Sequence, residues 1–288
     1  MNDRDLAMRD LEVIPVDEER REPASARIDA AETGEMWEPH VEVIGRSVEP
    51  RISVVMPALN EARNLQQVLP CIPDTVWEVI LVDGGSMDGT VEVFNSLRPD
   101  GLALTHKRPG KGNALAAGFA ACRGDIVVML DADGSANPEE IPKFVEALLA
   151  GADFAKGTRF AKDGGSDDIT TFRRLGNRVL VTLVNLLYRT QYTDLCYGMN
   201  AFWRHCLPYI NPDCDGFEVE TFMNLRLAKA SLRVHEVGSY ERRRLYGVSK
   251  LHTVRDGCRV LWTIVRLRFT GIPANADASV ETLEESPA

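Results

Sequence analysis

Three times between Ile52 and Leu115 an apolar, β-rich run gives way to a polar loop and then to helical spacing. The runs are Ile52–Pro57, Trp77–Val82 and Leu102–Thr105. A fourth, Gly124–Leu130, ends on Asp131-Ala132-Asp133 and turns away at once through Gly134-Ser135-Ala136-Asn137-Pro138. Strand, loop and helix in regular alternation predict an α/β fold with a mostly parallel sheet and helices on both faces. In such sheets the loops at the carboxyl ends of the strands form the ligand crevice. Two carboxylates one residue apart at a strand end can converge on one divalent cation, because hard cations take oxygen ligands and accept phosphates beside them.

The polar loops carry further chemistry. Pro57-Ala58-Leu59-Asn60-Glu61 leads into a helix over Glu61 to Leu69. Asp83-Gly84-Gly85-Ser86-Met87-Asp88-Gly89-Thr90 follows the second strand, with glycines that let backbone approach a ligand. Arg108-Pro109-Gly110-Lys111-Gly112-Asn113 opens the third helix. No G-x-G-x-x-G follows the first strand, which argues against a dinucleotide dehydrogenase.

Together these segments resemble the nucleotide-binding half of the family 2 glycosyltransferases, which have the GT-A fold. The resemblance extends over roughly residues 51 to 252. Downstream, Gly157-Thr158-Arg159-Phe160, Thr193-Asp194-Leu195-Cys196-Tyr197-Gly198-Met199, Gly216-Phe217-Glu218-Val219-Glu220 and Arg244-Leu245-Tyr246-Gly247-Val248-Ser249-Lys250 are similar to the dolichol-phosphate mannose synthase branch. The chain departs from that branch at Asp83-Gly84, where relatives often have two aspartates, and at Gly134-Ser135, where mannose synthases have Leu-Gln.

The resemblance implies a donor linked to UDP or GDP and a Mg²⁺ or Mn²⁺ cofactor. Asp133 is the first metal ligand and Asp131 the second, unless Asp131 meets the ribose; Ser135 is a possible third contact. Pro57, Leu59, Asn60, Glu61 and Asp83 would meet base and ribose. Lys111 and Arg159 would meet phosphate, and Arg244 and Lys250 would close a basic loop over the donor. Two acceptors stand open. A polyprenyl phosphate is already anionic and needs no protein base. A small soluble hydroxyl needs one, with Asp194 the first choice and Glu218 or Glu220, read as alternate positions of a strand, behind it. Single displacement with inversion follows from the family, and a non-catalytic nucleotide-sugar-binding module is the lesser reading.

Charge divides the chain. The formal net charge is -10, but the first 50 residues hold 14 acids against 6 arginines, and the last 18 hold 4 acids and no base. Both ends are polar and aperiodic and read as disordered extensions, residues 1–50 and 271–288, around a domain at 51–252. Met36–Ile44 reads as a short strand or helix. The segment 253–270 reads as a basic amphipathic helix that packs on the protein or lies on an anionic membrane surface. Leu175–Tyr188 reads as a second apolar helix led by arginines. No run reaches the length of a membrane span, and no signal-peptide pattern is present. The expectation is a cytoplasmic protein, peripheral at most, with self-association open and no nucleic-acid motif. Six cysteines without metal spacing read as reduced thiols, with Cys71 and Cys122 in the core.

Overall fold

The computed structural model describes residues 11–13, 49–106, 108–248 and 251–271. Its centre is an eight-stranded sheet built on β2 (Ile52–Ala58), β3 (Val76–Asp83), β4 (Leu102–His106) and β5 (Ile126–Met129). β1 (Leu11–Val13) runs antiparallel along the outer edge of β4. The order is β1-β4-β3-β2-β5-β8-β6-β9, with β6 at Phe154–Thr158, β8 at Asn200–Trp203 and β9 at Val234–Gly238. β2, β3, β4 and β5 are mutually parallel, β8 is antiparallel to both β5 and β6, and β9 is parallel to β6. A two-stranded ribbon of β7 (Gly165–Ser166) and β10 (Tyr240–Glu241) stands beside the main sheet.

Residues of β2 are buried on both faces, as a central parallel strand requires. Alternate side chains feed two cores. Val55, Ile80, Val82 and Phe202 face one; Val54, Met56, Val79 and Leu81 face the other. The second core is closed by α1 (Ala62–Val68), α2 (Thr90–Leu97) and α4 (Ile141–Leu149), through Leu65, Phe94 and Phe144. The first is closed by α3 (Lys111–Ala121), α5 (Thr171–Tyr188), the short α6 (Leu207–Ile210), α7 (Val219–Lys229) and α8 (Thr253–Phe269).

α3 lies close on the sheet because Gly118 has no side chain: a Cβ there would stand 2.3 Å from Val55 Cγ1. That approach fixes where Lys111, at the other end of the helix, meets the sheet's carboxyl edge. α8 is part of the same body. Its Val260, Ile264 and Leu267 are buried in the first core, and Tyr188 of α5 donates its hydroxyl to the Ile264 carbonyl at 2.7 Å.

Several expectations change. Leu11–Val13 is strand within the stretch read as disordered; the rest of 1–48, including Met36–Ile44, and 272–288 lie outside the described residues. Glu218 and Glu220 do not sit on a strand: Glu218 caps α7 and Glu220 is in its first turn. Cys122 is buried, but Cys71 is exposed, because it ends the turn after α1 instead of facing the sheet.

Phe202 stacks on Phe154 with ring centroids 5.5 Å apart and meets Phe119 edge-on at 5.3 Å. All three are buried in the first core. Phe202→Ala should cost about 3–5 kcal/mol, read as a fall in the urea unfolding midpoint at unchanged slope.

Candidate active site

The carboxyl edge of the parallel strands gathers unlike charges. Asp131 follows β5, Lys111 opens α3, and Glu220 opens α7. Lys111 Nζ lies 2.6 Å from Asp131 Oδ1 and 2.6 Å from Glu220 Oε1. Burial alone would lower the Lys111 pKa, but the Asp131 and Glu220 carboxylates outweigh it and raise it. Burial raises the pKa of Glu220, against the pull of Lys111. Gly198 makes room for this arrangement: a Cβ there would stand 2.1 Å from Asp131 Oδ2.

Asp133 meets a different cation. Its Oδ2 accepts from Arg244 Nη1 at 3.1 Å, and its Oδ1 accepts from the Ser135 N–H at 2.9 Å. The other arm of Arg244 donates to Glu61. Burial raises the Glu61 pKa, with Asn64 and Arg244 acting against it. The segment Arg242–Val248 is laid on the Asp133–Ser135 turn by backbone. Arg242 N donates to the Ser135 carbonyl at 2.7 Å and Leu245 N to the Asp133 carbonyl at 3.3 Å. Tyr246 N donates to Asn64 Oδ1 at 2.9 Å, and Arg63 stacks its guanidinium 4.1 Å from the Tyr246 ring. Gly134, at φ +77°, passes directly under Leu245. The segment therefore forms a cover over the turn, hung from it by main-chain bonds. Lys250, expected at the end of that cover, lies outside the described residues.

The first two loops are tied together. Asn60 adopts φ 57°, donates its N–H to Ser86 Oγ at 2.7 Å and accepts from Met87 N at 2.9 Å. Asn60 is thus a loop clasp. Pro57 is the half-buried penultimate residue of β2, with Leu59 just beyond the strand. Asp83, 3% exposed, uses Oδ2 to accept from the Gly85 and Ser86 N–H groups at 3.0 and 2.9 Å. Its buried Oδ1 has no protein partner. Buried polar atoms are nearly always hydrogen-bonded, so this oxygen stands out as one the protein itself leaves unmatched.

Arg159 and Asp194, read from sequence as separate phosphate and acceptor contacts, meet each other instead. Arg159 Nε donates to Asp194 Oδ2 at 2.7 Å and Nη2 to Oδ1 at 2.9 Å, while Nη1 reaches Glu241 Oε1 at 3.1 Å. Asp194 is fully buried. Burial would raise its pKa, but the bidentate guanidinium holds it below the ordinary Asp range. This fork-to-fork pair leaves neither group facing an incoming molecule. Sequence order gave no signal for Glu241, which completes the cluster from the ribbon strand β10. Glu218 differs. Its Oε1 accepts from the Gly216 N–H at 3.2 Å, and its Oε2 is buried with no protein partner.

Glu61, Asp131, Asp133 and Glu220 set four carboxylates against two cations, Lys111 and Arg244. The excess of negative charge and the all-oxygen donors fit a divalent cation that takes one or two carboxylates and completes its shell with phosphates. Asp131, Asp133 and Ser135 are the residues that would hold it. Among the described residues no group of three or more Asp, Glu, His or Cys side chains is placed to hold a metal ion by itself.

Residues 53–209 match the family described as glycosyl transferase family 2. The chain belongs to that family. It is a glycosyltransferase, and the sheet described above is its GT-A fold. Glycosyltransferase AglJ of Haloferax volcanii is 29% identical over 225 residues, covering 77% of this chain and 73% of that protein. Polyprenol monophosphomannose synthase of Mycolicibacterium smegmatis is 30% identical over 214 residues, covering 70% and 81%. Two further relatives match over only 38% of their own length. Among solved structures, glucosyl-3-phosphoglycerate synthase of Mycobacterium tuberculosis, in complex with Mn²⁺, UDP-glucose and glycerol 3-phosphate, superimposes with a TM-score of 0.61. It is 25% identical, covering 78% of this chain and 82% of that one. These relatives place the glycosyltransferase in the dolichol-phosphate mannose synthase-like branch.

Asp194→Asn removes the bidentate carboxylate and leaves the buried Arg159 guanidinium on Glu241 alone, so it should destabilise the glycosyltransferase by about 3 kcal/mol. The depressed Asp194 pKa sets the sign of the pH effect. Its contribution is present above the unfolded value near ~3.9 and is lost as pH falls through the lower folded value. Urea midpoints of wild type and variant should therefore differ at neutral pH and converge in acid.

Proposed function

We propose that this glycosyltransferase moves a hexose from a UDP- or GDP-linked donor to a polyprenyl phosphate. The observation that carries the acceptor is the Arg159–Asp194 pair. The carboxylate best suited by motif to be a base is consumed by an arginine, and a phosphate acceptor needs no base. The M. smegmatis relative, a polyprenol monophosphomannose synthase, supports the same acceptor class.

Roles follow from position. Asp83 Oδ1 accepts from the donor's base or ribose, and Glu61 meets the ribose. Lys111 and Arg244 bring positive charge to the pyrophosphate. Asp133, with Asp131 and Ser135, would hold Mg²⁺ or Mn²⁺, a choice supported by the Mn²⁺ in the M. tuberculosis neighbour. Bound there, such a cation would supply Lewis acidity to the leaving nucleoside diphosphate. Docking of Arg242–Val248 excludes water while the acceptor phosphate attacks the anomeric carbon from the side opposite the leaving group, inverting it. Arg244 must exchange partners as the donor enters, since Asp133 and Glu61 hold it beforehand.

A second reading has its own support. Glu218 Oε2 is buried without a partner beside Gly216, which suits a general base for a small soluble hydroxyl acceptor. The neighbour solved with glycerol 3-phosphate keeps that class in view.

The test is donor turnover with a short polyprenyl phosphate in detergent, with and without Mn²⁺ or Mg²⁺. Asp133→Asn should lower transfer roughly 100- to 1,000-fold at unchanged circular dichroism. Glu218→Gln should change transfer to the lipid phosphate by less than about threefold. A loss of roughly 100-fold or more, the usual contribution of a general base, together with transfer to a water-soluble alcohol, would install the hydroxyl reading in its place.

A further inference from the structure

The start of α3 is held by a residue far from it in the chain. The first amide N–H groups of a helix have no partner within it, and the N-cap side chain usually accepts one of them. In α3 the N-cap is Gly110, at φ +117°, which has no side chain to offer. Asp215, on the loop before α7, takes that place. Its carbonyl oxygen accepts from the Gly112 N–H at 3.0 Å, and its Oδ1 accepts from Asn113 Nδ2 at 3.0 Å. Asn113 Nδ2 also donates to the Pro109 carbonyl at 2.9 Å. One amide group thus joins the loop before the helix, the helix and the Asp215 loop. A carboxylate here also meets the positive end of the helix dipole.

Two glycines let these segments lie backbone on backbone. A Cβ at Gly110 would fall on the Asp215 carbonyl oxygen, and one at Gly112 on the Cys214 carbonyl oxygen. Between the two glycines stands Lys111. Its ammonium meets Asp131 and Glu220 at 2.6 Å each, so a shift of the helix start displaces it or breaks one of the two bonds. Gly118 sets the depth of α3 on the sheet; Asp215 sets where the helix begins. Asp215 is itself exposed and acts on the buried charges through Lys111. The other side of its loop is tied to α8, where Arg266 Nη2 lies 2.6 Å from Asp213 Oδ1.

We propose that Asp215 is a positioning residue of the glycosyltransferase: capping α3 from the α7 side, it holds the Lys111 ammonium where the donor's pyrophosphate binds. This rests on the reading of Lys111 as a phosphate contact.

The experiment is calorimetric binding of UDP and of GDP, each with Mn²⁺, to the full chain and its variants. Asp215→Ala should weaken binding of the tighter nucleotide roughly tenfold or more, the usual cost of losing a group that orients a site residue, at unchanged circular dichroism. Asp215→Asn keeps an acceptor oxygen and should stay within about threefold of wild type. Asp213→Ala frees the same loop from α8 at an exposed pair and should also stay within about threefold. In a Lys111→Met background, Asp215→Ala should cost nothing further, because the cap acts through the lysine. Hydrogen exchange at the Gly112 amide should quicken in Asp215→Ala and not in Asp215→Asn. Full affinity or slow exchange in Asp215→Ala would overturn the proposal. So would an equal loss in Asp215→Asn or Asp213→Ala, or an undiminished loss in the Lys111→Met background. If wild type binds neither nucleotide, or Lys111→Met binds as wild type does, the phosphate-contact reading falls and the cap proposal with it. If Lys111→Met weakens binding and Asp215→Ala does not, the cap proposal falls alone.

Discussion

Four carboxylates at one edge of the sheet are answered by only two protein cations, and much of the surrounding architecture serves that imbalance. Like charges about 4 Å apart repel by roughly 4 kcal/mol at the effective dielectric of a protein surface. Lys111 is therefore held between Asp131 and Glu220, and Arg244 between Asp133 and Glu61. Burial raises the pKa of both flanking glutamates, Glu61 and Glu220, against the pull of Arg244 and Lys111. A cover segment that brings Arg244 is then as much an electrostatic counterpart as a steric one.

The sheet order makes this convergence possible. β2, β3 and β5 run parallel, so their loops leave at one edge. β8 is antiparallel beside β5, so its start, not its end, lies at that edge. Tyr197 and Gly198 thereby arrive next to Asp131, and the missing side chain of Gly198 becomes necessary. The first turn of α7 then delivers Glu220 to Lys111 at the start of α3.

The strand–loop–helix rhythm and the paired aspartates were legible in sequence because each is a local pattern of period or adjacency. Pairing across 35 residues is not local. Arg159 and Asp194 each carry the chemistry of a ligand contact, and nothing in their order reveals that a buried fork joins them. Glu218-Val219-Glu220 is too short to show whether its period is two or 3.6. On a strand both acids would share a face. On a helix they diverge, and so Glu220 reaches Lys111 while Glu218 turns back to Gly216. The loop clasp of Asn60 was equally hidden, since its partners Ser86 and Met87 lie on the next loop.

The cover hangs on the Asp133–Ser135 turn by main-chain bonds from Arg242 and Leu245, not by side chains alone. Substitution can alter a side-chain latch at will, but these bonds do not depend on which side chains Arg242 and Leu245 carry, proline excepted. On the proposed reading, a spent nucleoside diphosphate beneath them would depart only after they part. The lifetime of such a product complex would then be a property of the backbone, set by the two main-chain bonds from Arg242 and Leu245.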